Sequence, residues 1–367
     1  MEENNNGYAL IASPVYQYGS SPYLYRSVEG TGLNTGNYDL YEFNQNYEGA
    51  EWRNYKNNEF ESLYVGEGYL YANEEGINDI TFEGTALPTT EITRSLVYNS
   101  GFDFTGWNLM GNPFTCMAYV NRSFHTLNED CNEVVPATSN SIEVMEGIFV
   151  VAEGTNETVT FSTTAPGKSA NLVLNLNNGR NLVDRAIVSF GESSQLRKVQ
   201  LNPNHTKVYV PQDGVDYAIV NASEMGEMPV NFKAENNGNF TMNFTSENVS
   251  FNYLHLIDNM TGADVDLLAT PSYSFSAQST DYANRFKLVF ATGNNSNEDN
   301  FAFFSNGSFV INNDGEAMLQ VVDVMGRIIK SETINGSASV NVNAAPGVYM
   351  LRLVNGDNMK VQKVVVK

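Results

Sequence analysis

Apolar runs of strand length, broken roughly every eight to twelve residues by Gly, Asn or Asp, dominate this sequence and leave it few folds to adopt. A 3.6-residue periodicity, the mark of an amphipathic helix, is nearly absent. Between Asn239 and Thr245, Phe240, Met242 and Phe244 alternate with Asn and Thr. Alternation of this kind suits a strand with one buried face, because successive side chains leave opposite sides of the backbone. The run Val249 to Ile257 reads in the same way, with Val249, Phe251, Tyr253 and Ile257 on one side and His255 among them. The fold expected is all-β, with tandem antiparallel β-sandwich domains. At 367 residues the chain has length for two or three domains, and 42% hydrophobic residues supply their cores.

An internal repeat organises the first part. Tyr8 to Pro14 and Trp107 to Pro113 share the order aromatic, any residue, Leu, apolar, small, polar, Pro. Further along, Glu67-Gly-Tyr-Leu-Tyr71 matches Glu146-Gly-Ile-Phe-Val150, and Ile80-Thr-Phe82 matches Val159-Thr-Phe161 at the same offset. Each half reads as a strand ended by Pro, which has no N–H for a ladder, then an insertion, a Gly-led strand and a closing strand. One β-domain spanning 1–166 is expected, built from these two related halves. A second antiparallel sandwich is expected over 167–293, with turns at Asn177–Gly179, Pro211–Gly214, Asn236–Gly238 and Thr261–Gly262. Residues 294–299 contain no apolar side chain and read as a linker.

The last module, 300–367, holds short β-branched strands around two turns, Met325-Gly-Arg327 and Asn355-Gly-Asp357, and ends in a basic strand. Three blocks in order carry a resemblance: Asp323 with Gly326 and Arg327, then Pro346-Gly347 with Tyr349, then the terminal run with Lys363 and Lys367. This module resembles the C-terminal sorting domain of proteins exported by the type IX secretion system of Bacteroidota. The resemblance implies a small immunoglobulin-like sandwich, passage through the periplasm, and contact with the type IX machinery. Cleavage of the tail and joining of the cargo to surface lipopolysaccharide are further implications. The stretches Gly226–Phe232, Tyr253–Asn259, Leu267–Tyr273 and Trp107–Phe114 are similar to modules of Bacteroidales surface proteins, which implies location but no activity. Met1 to Gly7 is acidic and Asn-rich, unlike a secretory signal. A tail of this kind presupposes such a signal, so the expectation is that the chain begins within a longer protein.

Charge and chemistry narrow the function. A formal net charge of −22 disfavours phosphate backbones, so nucleic-acid binding is not expected. No apolar run approaches the ~20 residues of a membrane-spanning helix. Cys116 and Cys131 leave two readings open: free thiols, or one disulfide contributing about 3 kcal/mol. Their spacing around His125 fits no zinc pattern. His255 is expected to be a partly buried hydrogen-bonded residue, and His205 an exposed loop residue. Asp258, Asn259, Asp264 and Asp266 could ligate calcium, but nothing there resembles a calcium loop, and a solvated turn is the reading adopted. Glu67 and Glu146 read as corner residues. Without a GxSxG, HExxH, P-loop or dinucleotide motif, no cofactor, metal or catalytic residue is assigned. The Tyr-rich stretch Tyr16 to Tyr55 is read as an insertion packing on its own sheet; the alternative is a recognition surface, with Tyr38, Tyr41, Tyr47 and Trp52 as candidate ligand-facing aromatics suited to a glycan or an extracellular protein. The function expected is a non-catalytic surface protein of the adhesin or binding-module type. The alternative is the stalk of a larger exported peptidase or glycosidase.

Overall fold

The structure, a computed structural model, describes residues 8–15, 24–25, 39–57, 63–72, 82, 84–166, 169–191, 195–293, 300–356 and 358–367. Tyr38 and the linker 294–299 lie outside them. The fold is all-β, built from several mainly antiparallel sheets; among the described residues the only helical piece is the 3-10 turn Tyr55–Asn57.

The repeat blocks occupy equivalent places. In the first half the opening strand Tyr8–Ile11 pairs with the return strand Tyr69–Ala72, placing Tyr8 opposite Ala72 and Leu10 opposite Leu70. In the second half Trp107–Gly111 pairs with Gly147–Val151, placing Trp107 opposite Val151 and Leu109 opposite Phe149. The register is the same position for position. Each return strand also pairs with a hairpin, Asp39–Phe43 with Trp52–Asn54 in one half and His125–Leu127 with Val134–Pro136 in the other. The hairpins repeat a local device: Asn44 N–H donates to Glu51 O, and Asn128 N–H to Glu133 O, both at 2.8 Å.

The two halves meet about a pseudo-dyad. Ile11 bridges Glu146 while Met110 bridges Glu67, and these are corresponding pairs. Ala12 N–H donates to Met145 O and Gly111 N–H to Gly66 O, again a matched exchange. At the axis a Cβ on Gly111 would stand 2.2 Å from the Ala12 Cβ, and one on Gly68 would stand 2.3 Å from Met110 O. Small residues are therefore required there by close backbone approach. An aromatic layer fills the space between the two hairpin sheets: Phe149 of the second half meets Phe43 and Trp52 of the first edge to face at 5.5 and 6.0 Å, and Trp107 lies tilted against Phe43 at 6.3 Å. Beyond the second hairpin sheet, Met110, Ile148 and Val150 pack on Val120, Val159 and Phe161 of a further four-stranded sheet.

From Asn171 to Thr292 runs an eleven-stranded sheet that wraps around one apolar core, including Leu174, Val208, Phe232, Met242, Leu256 and Phe286. Phe240, Met242 and Phe244 are buried as alternation requires. Two expectations change. The sandwich is not wholly antiparallel, since Ile187–Ser189 runs parallel to Ile219–Asn221. A register shift between Phe251 and Tyr253 also moves the strand Phe251–Asp258 out of phase, so Leu254 and Leu256 enter the core in place of Tyr253. Its other face is covered as well, because Ile257 and Val289 pack on Val310 of the tail with Tyr253 and Phe303 beside them. One buried face was expected; two exist.

Residues 301–366 form two small sheets, three strands (Ala302–Ser305, Ser308–Ile311, Ala338–Asn341) against four (Glu316–Val322, Ile328–Asn335, Gly347–Asn355, Asn358–Val366). Their core includes Phe309, Leu319, Val321 and Leu351. Polar clamps join the modules. Glu133 is buried, and its carboxylate accepts the N–H groups of Leu201 and Asn202 at 2.6 and 3.0 Å. Asn312 Nδ2 donates to Thr292 O at 3.1 Å, and Ser305 Oγ to Glu227 at 2.6 Å.

Candidate functional site

The tail motifs are turn and corner devices. Asp323 accepts Met325 N–H and Arg327 N–H on Oδ1, both at 2.9 Å, while the Arg327 guanidinium bonds Oδ2 at 2.8 Å. The backbone N–H of Arg327, then its side chain, hold the Asp323 carboxyl below its usual range. Gly326 sits at φ +79°, a left-handed position that favours glycine. The turn is closed by its own residues and projects Val324 and Met325, 76% and 69% exposed. Pro346 and Gly347 lead into the strand Gly347–Asn355, where the Tyr349 ring packs on Phe309 and its hydroxyl donates to Ala345 O at 2.8 Å. A hydroxyl reaching back four residues fixes that corner.

Lys363 lies opposite Met350, Arg352 opposite Val361, and Val354 opposite Met359. Met318 sits opposite Val354 on the adjoining strand. The outer face of this sheet thus carries exposed Met318, Met350, Met359, Val361 and Val365 among Arg352 and Lys363. Residues 300–367 hold six Lys and Arg against five Asp and Glu, in a chain whose net charge is −22. The tail is the part of the molecule that is not acidic. Lys367, its last residue, is exposed.

The candidate aromatics divide. Tyr41 and Trp52 meet edge to face at 6.5 Å, and Trp52 belongs to the aromatic layer between the halves. Tyr47 is 46% exposed and covers the Arg53 guanidinium at 4.3 Å, which itself pairs with Glu42 at 3.0 Å. Tyr38 lies outside the described residues. Of the four, Tyr47 alone is shown presenting a largely open ring.

The most deeply buried aspartates have structural partners, whereas both ring nitrogens of His125 are buried without a hydrogen bond. Asp258 and Asp184, both buried, pair with Arg285 and Lys198. Burial alone would raise the Asp258 carboxyl, but the bonds from Arg285, Met260 and Tyr273 outweigh it and leave it lowered. That ion pair replaces the solvated turn expected at Asp258. His255 Nδ1 lies 2.7 Å from Asp264 and its ring stacks on Tyr253, in keeping with a partly buried hydrogen-bonded residue. His205, expected in an exposed loop, keeps only 14% of its side chain accessible, beside Glu235. His125 is fully buried, its ring parallel to Trp107, and desolvation, then the Lys198 charge, lowers its pKa to about 3. Cys116 and Cys131 are both free. Among the described residues no group of three or more His, Cys, Asp or Glu could hold a metal ion, and no helix is long and apolar enough to cross a membrane.

Glu67 and Glu146 are the dyad bridges, and burial raises both carboxyls. Sequence reading marked them as corners but missed that each half's corner docks on the other half. The signal was there: matched Glu-Gly pairs, and small residues, Ala12 and Gly111, at the same place in the opening block.

Among known families, residues 305–367 match the secretion system C-terminal sorting domain. The tail therefore marks the chain for export by the type IX route to the cell surface or the extracellular space. No curated protein matches the chain. One solved structure, described as "Biofilm associated protein - BSP domain", aligns with 100% of this chain and 68% of its own at 10% identity and a TM-score of 0.19.

Proposed function

We propose that the chain is a non-catalytic binding protein of the adhesin class, delivered to the cell surface by its sorting tail. The observation that carries this reading is the employment of the charged groups. Among the described residues the buried carboxylates are Glu51, Glu133, Asp184 and Asp258, and each is tied to a backbone N–H group or to Lys198 or Arg285. Catalytic carboxylates and bases need a partner that changes during reaction, whereas these sit in fixed, saturated pairs. The tail's apolar and basic outer face is the surface offered to the type IX machinery. The exposed Tyr47, stacked on Arg53, is the aromatic platform offered to a sugar face.

A glycan array probed with the full chain tests the binding role. Retained binding after Tyr47→Ala would remove that residue from the reading. Export is tested apart from it, by fusing residues 294–367 to a periplasmic reporter in a type IX-competent host. A reporter that stays in the periplasm would overturn the delivery claim. The stalk of a larger exported hydrolase remains the second reading, favoured by the polar clamps that make the three modules a continuous support.

A further inference from the structure

The pseudo-dyad creates two related clefts. Each lies between the opening strand of one half and the hairpin and Glu-Gly corner of the other. The first, about 480 Å³, is walled by the strand Tyr8–Ile11, the hairpin near Leu127 and the corner Glu143–Gly147. The second, about 400 Å³, is walled by Trp107–Met110, the hairpin near Phe43 and the corner Glu67–Gly68. Both volumes fall in the range of about 300–1,000 Å³ usual for ligand sites.

The two clefts differ in their walls, and the strand Glu91–Ser95 that reaches the second one is itself paired with Thr158–Ser162. In the second cleft an extended segment of the chain, Thr93 to Val97, forms an additional wall. Side-chain amides clamp it: Val97 N–H donates to Asn108 Oδ1 at 2.8 Å, while Val97 O accepts from Asn108 Nδ2 at 3.0 Å and from Gln45 Nε2 at 2.9 Å. At the first cleft the position of Asn108 is taken by Ala9. Among the described residues no segment corresponding to Thr93–Val97 lines it. Among the described residues the opening strand Tyr8–Ile11 is an edge strand there, paired with Tyr69–Ala72 on one side only apart from the bridge at Ile11. Its lining is mainly apolar, with Tyr8 and Val144 exposed at 44% and 39%. The charged side chains in that lining are Glu143 and Glu146, with no Lys or Arg among them. Glu146 is engaged by Glu143 N–H at 2.7 Å, which leaves the exposed Glu143 carboxylate to meet a cation.

We propose that this first cleft binds an extended segment of another polypeptide, an apolar side chain flanked by Lys or Arg, laid along the edge of Tyr8–Ile11. An edge strand supplies backbone hydrogen bonds to such a peptide, and the pocket and acid supply selectivity. The proposal rests on the binding-protein reading, and deepens it by naming the ligand class.

The test uses the full chain and a fluorescein-labelled peptide, acetyl-Lys-Val-Thr-Val-Lys-amide, followed by anisotropy, with the Glu-flanked peptide of the same pattern as control. The Lys peptide is expected to bind saturably and the Glu peptide not to bind. Glu143→Lys and Val144→Lys, both at exposed positions, are expected to weaken binding by about tenfold or more while leaving the urea midpoint unchanged. In a Cys116→Ser background the Lys peptide is expected to slow thiol labelling of Cys131, which lines the cleft. No saturable binding, equal binding by both peptides, or affinity unaffected by Glu143→Lys would overturn the proposal. Concentration-dependent dimerisation abolished by Val144→Lys would also overturn it, assigning the cleft to a second copy of this chain. Failure here leaves the glycan array free to succeed, so the two readings fall separately.

Discussion

Gly111→Ala places a methyl group on the pseudo-dyad, 2.2 Å from the Ala12 Cβ, where carbon atoms need about 3.5–4.0 Å. The halves must separate by more than an ångström, and overpacking of that kind costs about 2 kcal/mol. The same separation stretches two bonds, Gly111 N–H to Gly66 O and Ala12 N–H to Met145 O, for about 1 kcal/mol each. Reduced freedom of the unfolded chain returns about 1 kcal/mol, so the net loss is about 3 kcal/mol. Ala12→Gly alone loses a buried methyl and adds backbone freedom, about 1.5 kcal/mol together. If the sites were independent, the double variant would lose about 4–5 kcal/mol. Because the two positions are dyad mates, moving the methyl across the axis removes the collision, and the swapped pair is expected to lose only about 1–2 kcal/mol. A residual cost remains, since the new methyl sits 3.2 Å from Glu67 O and Glu146 O. Urea unfolding followed by tryptophan fluorescence reads this module alone, because the chain's two tryptophans, Trp52 and Trp107, both lie within it. A Gly111→Ala loss below about 1 kcal/mol would refute the dyad contact. So would a double variant as unstable as the sum of the singles.

Other outcomes follow from single sites. His125 has its pKa lowered from 6.5 to about 3, so its neutral form is favoured by folding; the stability it supports is present above pH 6.5 and falls as pH drops toward 3. His125→Phe is expected to remove about 2 kcal/mol of the loss between pH 7 and pH 5, read from urea midpoints at the two values; an unchanged pH dependence would contradict the burial. Asp258→Ala strands Arg285 in the interior and should cost about 3–5 kcal/mol, read by calorimetry of the full chain. Tyr349→Phe loses the bond to Ala345 O and should destabilise the tail by about 1 kcal/mol, read by hydrogen exchange in Gly347–Asn355. Met350→Glu with Val361→Glu should block export of a tail-fused reporter and leave tail stability intact; full export would remove the outer face from the machinery contact.

Strand character was legible wherever one face met water, as at Phe240, Met242 and Phe244, because alternation encodes a single buried side. The strand at Phe251 to Ile257 was also legible but its phase was not, because a register shift and a second covered face leave no polar row to set it. The tail motifs could be read because turn chemistry is local: Asp323, Gly326 and Arg327 satisfy one another within five residues. His205 and Asp258 were misplaced for the opposite reason, as their environments depend on Glu235 and Arg285, more than twenty residues away. The repeat itself was visible, but matched blocks specify likeness and carry no information on how two likenesses dock. Sequence periodicity likewise cannot reveal an aromatic layer drawn from Phe43, Trp52, Trp107 and Phe149, whose pairing depends on the dyad.

The contact of Val310 with Ile257 and Val289 links address to solubility. A chain cut after Gly293 would lose the export signal and, in the same step, bare a greasy patch on the module it left behind. A chain cut there and an uncut chain would thus present two different surfaces made from one sequence. The cut chain would hold Ile257 and Val289 against water, where the uncut chain holds them against Val310.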